Sequence, residues 1–571
     1  MSRAIFASFS FLPRIAILAA AVCLWAPSIA QAAGTSIPST ANPGRIDDRL
    51  SSPNLEAPAA PAAPVLQTPT VTSEIPPGAD KIHFNFKGVQ LEGASVFTEA
   101  DLHPLYQDLI GKDVTLATMI GVADKITAKY RNAGYILSRA VVPEQTVDNG
   151  IVRIQVIEGF ISKVNLNGAF KNSGELQAYA SHIEDIRPIT AHDLERYLLM
   201  ANDIPGFTVK GVLQRSPTVP GGAELTLMTQ RQLVSADASV DNRGSKFLGP
   251  DEINLSSSLN DAMGLGEQIG AAYTTTANGE LNYYAANGSI GLDSEGTRLS
   301  VIGSDTQTKP GFTLKPLDTK GFSDLLGFEF SHPFIRTREE NLQGLLRFDG
   351  QDVKDSQLGS TISSDKIRSA RLGENYQVAD TWDGVNTVNG LYSEGFHILG
   401  ASGSGDPLLS RADGRSDYHK FNLDLQRIQS ITPDLNLVLA SSGQYAFDDL
   451  LTAEQFGVGG PNFGRGYDES EITGDSGIAG KAELQYNYHV GTSYLDTLQP
   501  YTFFDTGEVS DRSVLPGEKK VQSLSSTGVG VRLRLTDNFS GQLEIAQPLT
   551  KDVATENNKD PRYFFGITAH Y

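Results

Sequence analysis

The chain holds a single cysteine among its 571 residues, Cys23. It falls inside an apolar, leader-like segment, which excludes a disulfide framework and thiol chemistry from everything that follows. Positive charge is also scarce. Lys and Arg number 46 against 67 Asp and Glu, for a formal net charge of −21. That balance argues against nucleic-acid binding, which needs a basic face. Beyond the leader no stretch offers about 18 consecutive apolar residues, so no membrane-spanning helix is expected there. The nine His are scattered, with no pair at i, i+4 and no His-Glu-x-x-His, so no metal site is expected. Gly457-Val458-Gly459-Gly460-Pro461 is not followed by Gly-Lys-Ser/Thr and sits in no βαβ unit, so it is a loop base and not a phosphate cradle. Gly400-Ala401-Ser402-Gly403-Ser404-Gly405 is no nucleophile elbow. Asp448-Asp449 reads as a pair of loop carboxylates. No enzyme activity and no cofactor is expected.

What is present begins with an export signal over residues 1–32: Arg3 and Arg14, an apolar run from Ile15 to Ala26, and Ala30-Gln31-Ala32 as an A-x-A-like cleavage site. Residues 33–80 follow as a short helix and linker. Arg45 to Leu50 suits a short helix that is marginal on its own, and the Ala/Pro-rich stretch at 54–64 cannot build a core.

Two small α+β modules come next, at 81–158 and 159–231. In the first, Ile82, Phe84 and Phe86 alternate as in a strand, and Thr98 caps a helix with Glu99 and Asp101 in its first turn. Leu116, Met119, Ala123, Ile126 and Tyr130 line one helical face, which ends at Gly134. Tyr135–Val142 and Ile151–Ile157 read as strands around Asp148-Asn149-Gly150. In the second, Ile161–Leu166 is a strand. Thr190 with Asp193 starts a helix carrying Leu194, Tyr197, Leu198 and Ala201. Thr208–Leu213 and Glu224–Thr229 form a hairpin around Pro220-Gly221-Gly222.

Residues 232–571 change texture. Helix signals nearly vanish, and alternating segments are separated by turns such as Gly264-Leu265-Gly266, Ala277-Asn278-Gly279 and Thr432-Pro433-Asp434. Phe421–Gln426, Leu435–Ser441, Ala482–Tyr488, Thr527–Leu535 and Ser540–Gln547 are clear strands. The chain ends on Tyr563-Phe564-Phe565-Gly566-Ile567-Thr568-Ala569-His570-Tyr571. Phe565, Ile567, Ala569 and Tyr571 share one face of an extended strand, as the closing strand of an outer-membrane barrel does. Sixteen strands would leave roughly 21 residues per strand and connection, which suits spans of roughly 9–11 residues; fourteen or eighteen would fit nearly as well.

The whole of this organisation resembles the outer-membrane transporters of two-partner secretion, within the Omp85 superfamily. The residues that carry the resemblance are Pro143-Glu144-Gln145 and Val156-Ile157-Glu158-Gly159 in the first module and Asn202-Asp203-Ile204-Pro205-Gly206 in the second. In the barrel they are Asp241-Asn242-Arg243-Gly244, Gly264-Leu265-Gly266-Glu267-Gln268 (where the family often has Asp for Glu267), and Ser331 to Arg338 with Asn341-Leu342. The resemblance implies two periplasmic POTRA modules followed by a transmembrane antiparallel β-barrel of sixteen strands, a mixed fold, placed in the outer membrane. It further implies that Gly464-Arg465-Gly466-Tyr467 lies on a long sixth extracellular loop folded into the lumen. There Arg465 would pair with Asp505 of the lumen-facing motif Phe504-Asp505-Thr506-Gly507. The family usually has Val where this chain has Gly464. Alone, an Arg-Gly-Tyr or an Asp-x-Gly is ordinarily a turn; their order within the barrel-like region gives them joint weight. The implied activity is export of an unfolded exoprotein that carries an amino-terminal secretion domain: an adhesin, haemolysin or contact toxin. Outer-membrane lipid surrounds the barrel, and no nucleic acid is involved. Residues 45–50 resemble, in shortened form, a lumen-plugging helix. The alternatives are an Omp85-type assembly factor for other barrels, a plain porin or adhesin, and an enzyme fused to a barrel.

Overall fold

The computed structural model describes residues 37–51, 75–168, 173–514, 517–536 and 538–571. The expected export signal and the Ala/Pro-rich stretch lie outside them. From Pro38 to Tyr571 the chain is one compact unit.

The carboxy-terminal part is a closed antiparallel barrel. Its sixteen strands run from Val234–Asp241 to Arg562–His570, counting Ser476–Tyr486 and its short continuation Tyr488–His489 as one strand interrupted at Asn487. The last strand closes on the first with Gly566 opposite Asp241 and His570 opposite Asp237. The ladder extends to the final residue: Tyr571 N–H donates to Ala236 O at 2.8 Å and Ala236 N–H donates to Tyr571 O at 3.0 Å. Asn242 seals the other end of this seam, donating to Tyr563 O and accepting from Phe565 N–H. Closure leaves no open edge.

The burial pattern is inverted relative to a water-soluble sheet. Phe328, Phe348, Leu372, Phe565 and Ile567 are exposed, whereas Asp349, Glu483, Asp505 and Glu544 are buried. An apolar outside and a polar inside are what a hydrocarbon solvent selects. Among the described residues no helix is long and apolar enough to cross a membrane; the crossing belongs to the strands. Several strands exceed the expected 9–11 residues. Lys320–Arg336, Glu340–Gln357 and Ser360–Ala379 have 17, 18 and 20 residues. On the outward face of Glu340–Gln357, Leu346 and Phe348 give way to Asp352 and Lys354, so the hairpins run on past the apolar band toward the extracellular side.

The first module holds a sheet in which Ile151–Ile157 lies between Gly88–Glu92, in parallel, and Arg139–Val141, antiparallel. It is covered by helix Leu116–Asn132, whose Met119, Ala123, Ile126 and Tyr130 are buried. Thr98 and Asp101 form a reciprocal capping box. The strand expected over Tyr135–Val142 shortens to Arg139–Val141. Gly134 adopts φ +91°, and Tyr135 N–H returns to Tyr130 O while Ser138 N–H returns to Tyr135 O; these bonds turn the chain before it can extend.

The second module repeats the plan. Gly222–Arg231 is central, between Phe160–Gly168 and Phe207–Arg215. Thr190 and Asp193 form its capping box at the start of Ala191–Asp203. A preceding helix, Gly174–Asp185, was not expected, although Leu176, Tyr179, Ala180 and Ile183 are buried along it at helical spacing. The modules are tied by Ala191 N–H to Gly134 O at 2.8 Å, while Ile189 N–H donates to Gly159 O, at the junction, at 3.1 Å. The second is clamped to the barrel's periplasmic turns. Arg336 donates from Nε and Nη2 to Asp203, both at 2.7 Å, and Arg298 Nη1 donates to both oxygens of Glu175 at 3.1 Å.

Candidate functional site

In the strand Thr497–Ser510 the alternation is strict. Tyr501, Phe503, Asp505, Gly507 and Val509 are buried on the lumen side, and the residues between them face outward. Glu483 on Ser476–Tyr486 and Glu544 on Phe539–Pro548 are buried in the same region of the lumen. Three carboxylates thus converge inside the wall and require cations.

The segment between Leu435–Ala446 and Ser476–Tyr486 folds inward and supplies one. It is stiffened by a short ladder, Phe456–Val458 against Ile472–Gly474. At its turn Gly464 takes φ +92°, a conformation that favours glycine over the family's usual Val. Arg465, 3% exposed, donates from Nε to Asp505 Oδ2 at 3.0 Å and from Nη2 to Oδ1 at 2.8 Å. This is a bidentate pair. The backbone N–H groups of Arg465 and Gly464 add bonds to Asp505 at 3.0 and 3.3 Å. Arg465 Nη1 also binds Glu483 and lies 3.8 Å from Glu544. The guanidinium carbon sits 3.5 Å from the centre of the Phe503 ring.

The remaining carboxylates are satisfied by the wall itself. Arg532 donates to Glu483 at 2.7 Å, and Arg243 and Tyr501 donate to Glu544 at 2.7 and 2.8 Å. Tyr467 is buried, with its hydroxyl 3.2 Å from Ser525 O and 3.1 Å from Lys551 O. Gly466 and Gly507 permit contact between loop and wall. A Cβ on Gly466 would lie 2.9 Å from Pro548 N, and one on Gly507 would lie 2.6 Å from Val458 Cγ1.

Phe504 departs from the expected lumen-facing motif. It is 46% exposed on the outer surface, because period 2 places it opposite Asp505. Phe503 supplies the ring that meets Arg465. The sequence reading also passed over Glu483 and Glu544. The available signal was a lone acid between apolar neighbours, as in Leu543-Glu544-Ile545, which marks the lumen face of a barrel strand.

A second anchor has reversed polarity. Glu454, on the same inward segment, is bound by Arg371 Nη2 at 2.8 Å and Lys420 Nζ at 2.7 Å. The wall thus presents acids to Arg465 and bases to Glu454.

The short amino-terminal helix spans Pro43–Ser51 and lies inside the barrel. Asp47 accepts hydrogen bonds from Ser304 at 3.0 Å, Thr306 at 2.7 Å, Ser323 at 2.5 Å and Gln351 at 3.2 Å. Arg45 donates to Gln455 O at 2.6 Å and to Ser470 Oγ at 2.9 Å, so the helix touches the inward loop as well as the wall. Arg49 pairs with Glu252 at 3.0 Å. Gly44 lets the helix approach, since a Cβ there would lie 2.8 Å from Val353 Cγ2. Nine residues are marginal as an isolated helix, and these wall contacts hold it.

A polar-lined barrel, an inward loop and periplasmic POTRA modules define an outer-membrane transporter of the POTRA-barrel class. The family model for the haemolysin secretion/activation protein ShlB/FhaC/HecB matches residues 222–533, more than half of the chain, and the ShlB-type POTRA domain model matches residues 84–159. The chain belongs to the ShlB/FhaC/HecB family. It is 22% identical to the heme/hemopexin transporter protein HuxB of Haemophilus influenzae (strain 86-028NP), over 81% of this chain and 83% of that protein. It is 23% identical to the outer membrane transporter CdiB of Dickeya dadantii (strain 3937), over 71% and 72%. Its fold matches the solved structure of CdiB from Escherichia coli with a TM-score of 0.72 at 20% identity, covering 88% of this chain and 93% of that one. BamA from Haemophilus ducreyi, lacking its POTRA domains 1–3, matches at 0.51 and 11% identity, covering 86% and 100%.

Proposed function

We propose that this chain is the channel of a two-partner secretion pair: its POTRA modules capture a secreted exoprotein in the periplasm and its barrel conducts that polypeptide, unfolded, to the cell surface. The observation that carries this reading is how the lumen is filled. Among the described residues its occupants are the helix Pro43–Ser51 and the inward loop, both held to the wall by side-chain contacts and neither part of the wall's ladder. Displacing them leaves a sixteen-strand cylinder with a polar lining, a size at which barrels enclose an aqueous channel. The modules sit at its periplasmic mouth, clamped there through Asp203–Arg336 and Glu175–Arg298. An extended substrate can add to the free sheet edge of Phe207–Arg215, a mode that draws affinity from main-chain hydrogen bonds and tolerates varied sequence. Direction comes from folding of the cargo outside, where burial of its apolar surface is favourable. The relatives named as a heme/hemopexin transporter, a hemolysin transporter and CdiB point to exoproteins as the cargo class.

The test is depletion of this chain from its host envelope. The expected result is loss of one large polypeptide from the medium, with its unfolded form held or degraded in the periplasm. Loss of several unrelated outer-membrane barrels instead would transfer the chain to the assembly-factor reading.

A further inference from the structure

Where the two modules meet, a cleft of about 590 Å³ opens between the end of helix Leu116–Asn132, the edge strand Arg139–Val141 and the tip of the Phe207–Arg215 hairpin. Arg131, Arg139 and Arg215 line it. Among the described residues none of the three has a carboxylate within ion-pair distance, although most arginines of the barrel lumen do. Burial, and the Arg215 charge beside it, push the Arg139 guanidinium below its ordinary value. Arg139 is half-buried and Arg131 and Arg215 are exposed, so the three like charges stand open to an arriving anion.

We propose that this cleft receives an acidic, extended segment of the exported polypeptide, its carboxylates taken by Arg131, Arg139 and Arg215 and its backbone added to the open end of the Phe207–Arg215 edge, at 211–215. The inference rests on the export reading and gives it a substrate chemistry. The edge geometry favours a polypeptide over a free anion. Among the described residues Phe207–Arg215 pairs only with Gly222–Arg231. Asn202 occupies the free side at Val209, accepting its N–H at 2.8 Å and donating to its carbonyl at 3.0 Å. Backbone groups alternate in direction along an antiparallel strand, so those of Gly211, Leu213 and Arg215 also point off this edge, toward the cleft. A strand added here would present every second side chain to the arginines. The pocket has a fixed base: Gly221, at φ +77°, packs so closely on Ile157 that a Cβ would lie 2.8 Å from its Cγ2. Charge distribution points the same way. Residues 232–571 carry 27 Lys and Arg against 46 Asp and Glu, whereas residues 81–231 carry 15 against 16. The modules are the part of this acidic chain that can accept an acidic segment.

The test uses the full chain in detergent and three peptides of alternating Val and Glu, Val and Gln, or Val and Lys, each with a neutral fluorophore, followed by anisotropy. The Glu peptide is expected to bind about tenfold tighter than the Gln peptide at low salt. Arg139→Gln with Arg215→Gln, and separately high salt, should erase that preference without changing Gln-peptide affinity. Equal binding of Glu and Gln peptides, or a preference that survives the double substitution, overturns the acid recognition while strand addition stands. Failure of all three peptides to bind overturns both. Phosphatidylglycerol vesicles retained through Arg139 and Arg215, with no peptide bound, would assign the cleft to a lipid surface. Secretion is scored separately, so export can stand when the acid preference falls.

Discussion

Arg465→Ala should undock the inward loop. The substitution removes every side-chain bond from Arg465 to Asp505 and Glu483. Glu483 keeps Arg532, and Glu544 keeps Arg243 and Tyr501. Asp505, with no exposed surface, keeps two backbone N–H bonds and the charge of its cross-strand neighbour Lys481. Breaking a buried pair by removing one partner costs about 3–5 kcal/mol, so the docked-to-released ratio should fall by a factor of about one hundred to a few thousand, at about 1.4 kcal/mol per factor of ten. Asp505→Asn should cost less, because Arg465 retains Glu483 and an acceptor oxygen remains. A charge swap between the two positions should not rescue the loop. Asp at 465 would face Glu483 and Glu544, and Arg at 505 would meet backbone donors where an acceptor is needed. The assay is the rate of maleimide labelling at Phe463→Cys on intact cells, with Cys23, the chain's one native cysteine, replaced by Ser. Phe463 lies on the loop itself, two residues before Arg465, and is buried while the loop is docked. Unchanged labelling in Arg465→Ala, with the barrel inserted and heat-modifiable on gels, would refute the reasoning; so would full rescue by the swap.

Asp47→Ala removes the acceptor shared by Ser304, Thr306, Ser323 and Gln351, and single-channel recordings should show a higher open probability. In the first module, burial pushes the Glu158 carboxyl up, but hydrogen bonds from Ser95, Val96 and Tyr130 outweigh it and hold it below the usual carboxylate range. A depressed folded value contributes stability above the unfolded value of about 4.3 that is lost as pH falls through the folded one. Hydrogen exchange at 95–97, corrected for intrinsic rate, should therefore lose protection on acidification in the parent and be less pH-dependent in Glu158→Gln. Deleting Tyr571 leaves Ala236 without its two backbone partners at the seam and should lower the yield of heat-modifiable barrel.

The barrel was legible because alternation is clear in several strands, as in Thr497–Ser510, and the terminal aromatic strand has a clear outward face. Lumen chemistry was harder to read. Asp505 and Phe504 are neighbours in sequence yet lie on opposite sides of the wall, so a motif read as a string placed Phe504 on the wrong face, whereas strand period 2 assigns Phe503 to Arg465. Glu454 could not have been found from its surroundings, because its partners Arg371 and Lys420 come from distant strands and meet only after closure. Helix Gly174–Asp185 carried a readable apolar face, but Ser173 is followed three residues on by Leu176 and not by an acid, the signal that Asp101 gives after Thr98 and Asp193 after Thr190. The shortened strand at Arg139–Val141 reflects turn bonds that hydropathy does not encode.

The two loop anchors also bear on how the lumen clears. Arg465 is held by Ser476–Tyr486 and Thr497–Ser510, and Glu454 by Ser360–Ala379 and His419–Thr432. If the loop's tip and base moved independently, losing the Arg465 anchor would free the tip and leave the base in place. The Phe456–Val458 and Ile472–Gly474 ladder joins the limbs between these anchors, and Arg45 of the helix bonds to Gln455 on one limb and Ser470 on the other. Loop and helix should therefore leave as a body. Contacts in one cooperative network do not contribute additively, so Arg465→Ala should raise labelling at Ala453→Cys together with that at Phe463→Cys, and adding Glu454→Gln should produce less than the product of the single effects. Labelling that rises at Phe463→Cys alone would mean that the tip undocks without the base, and cargo would then have to displace the two in separate steps.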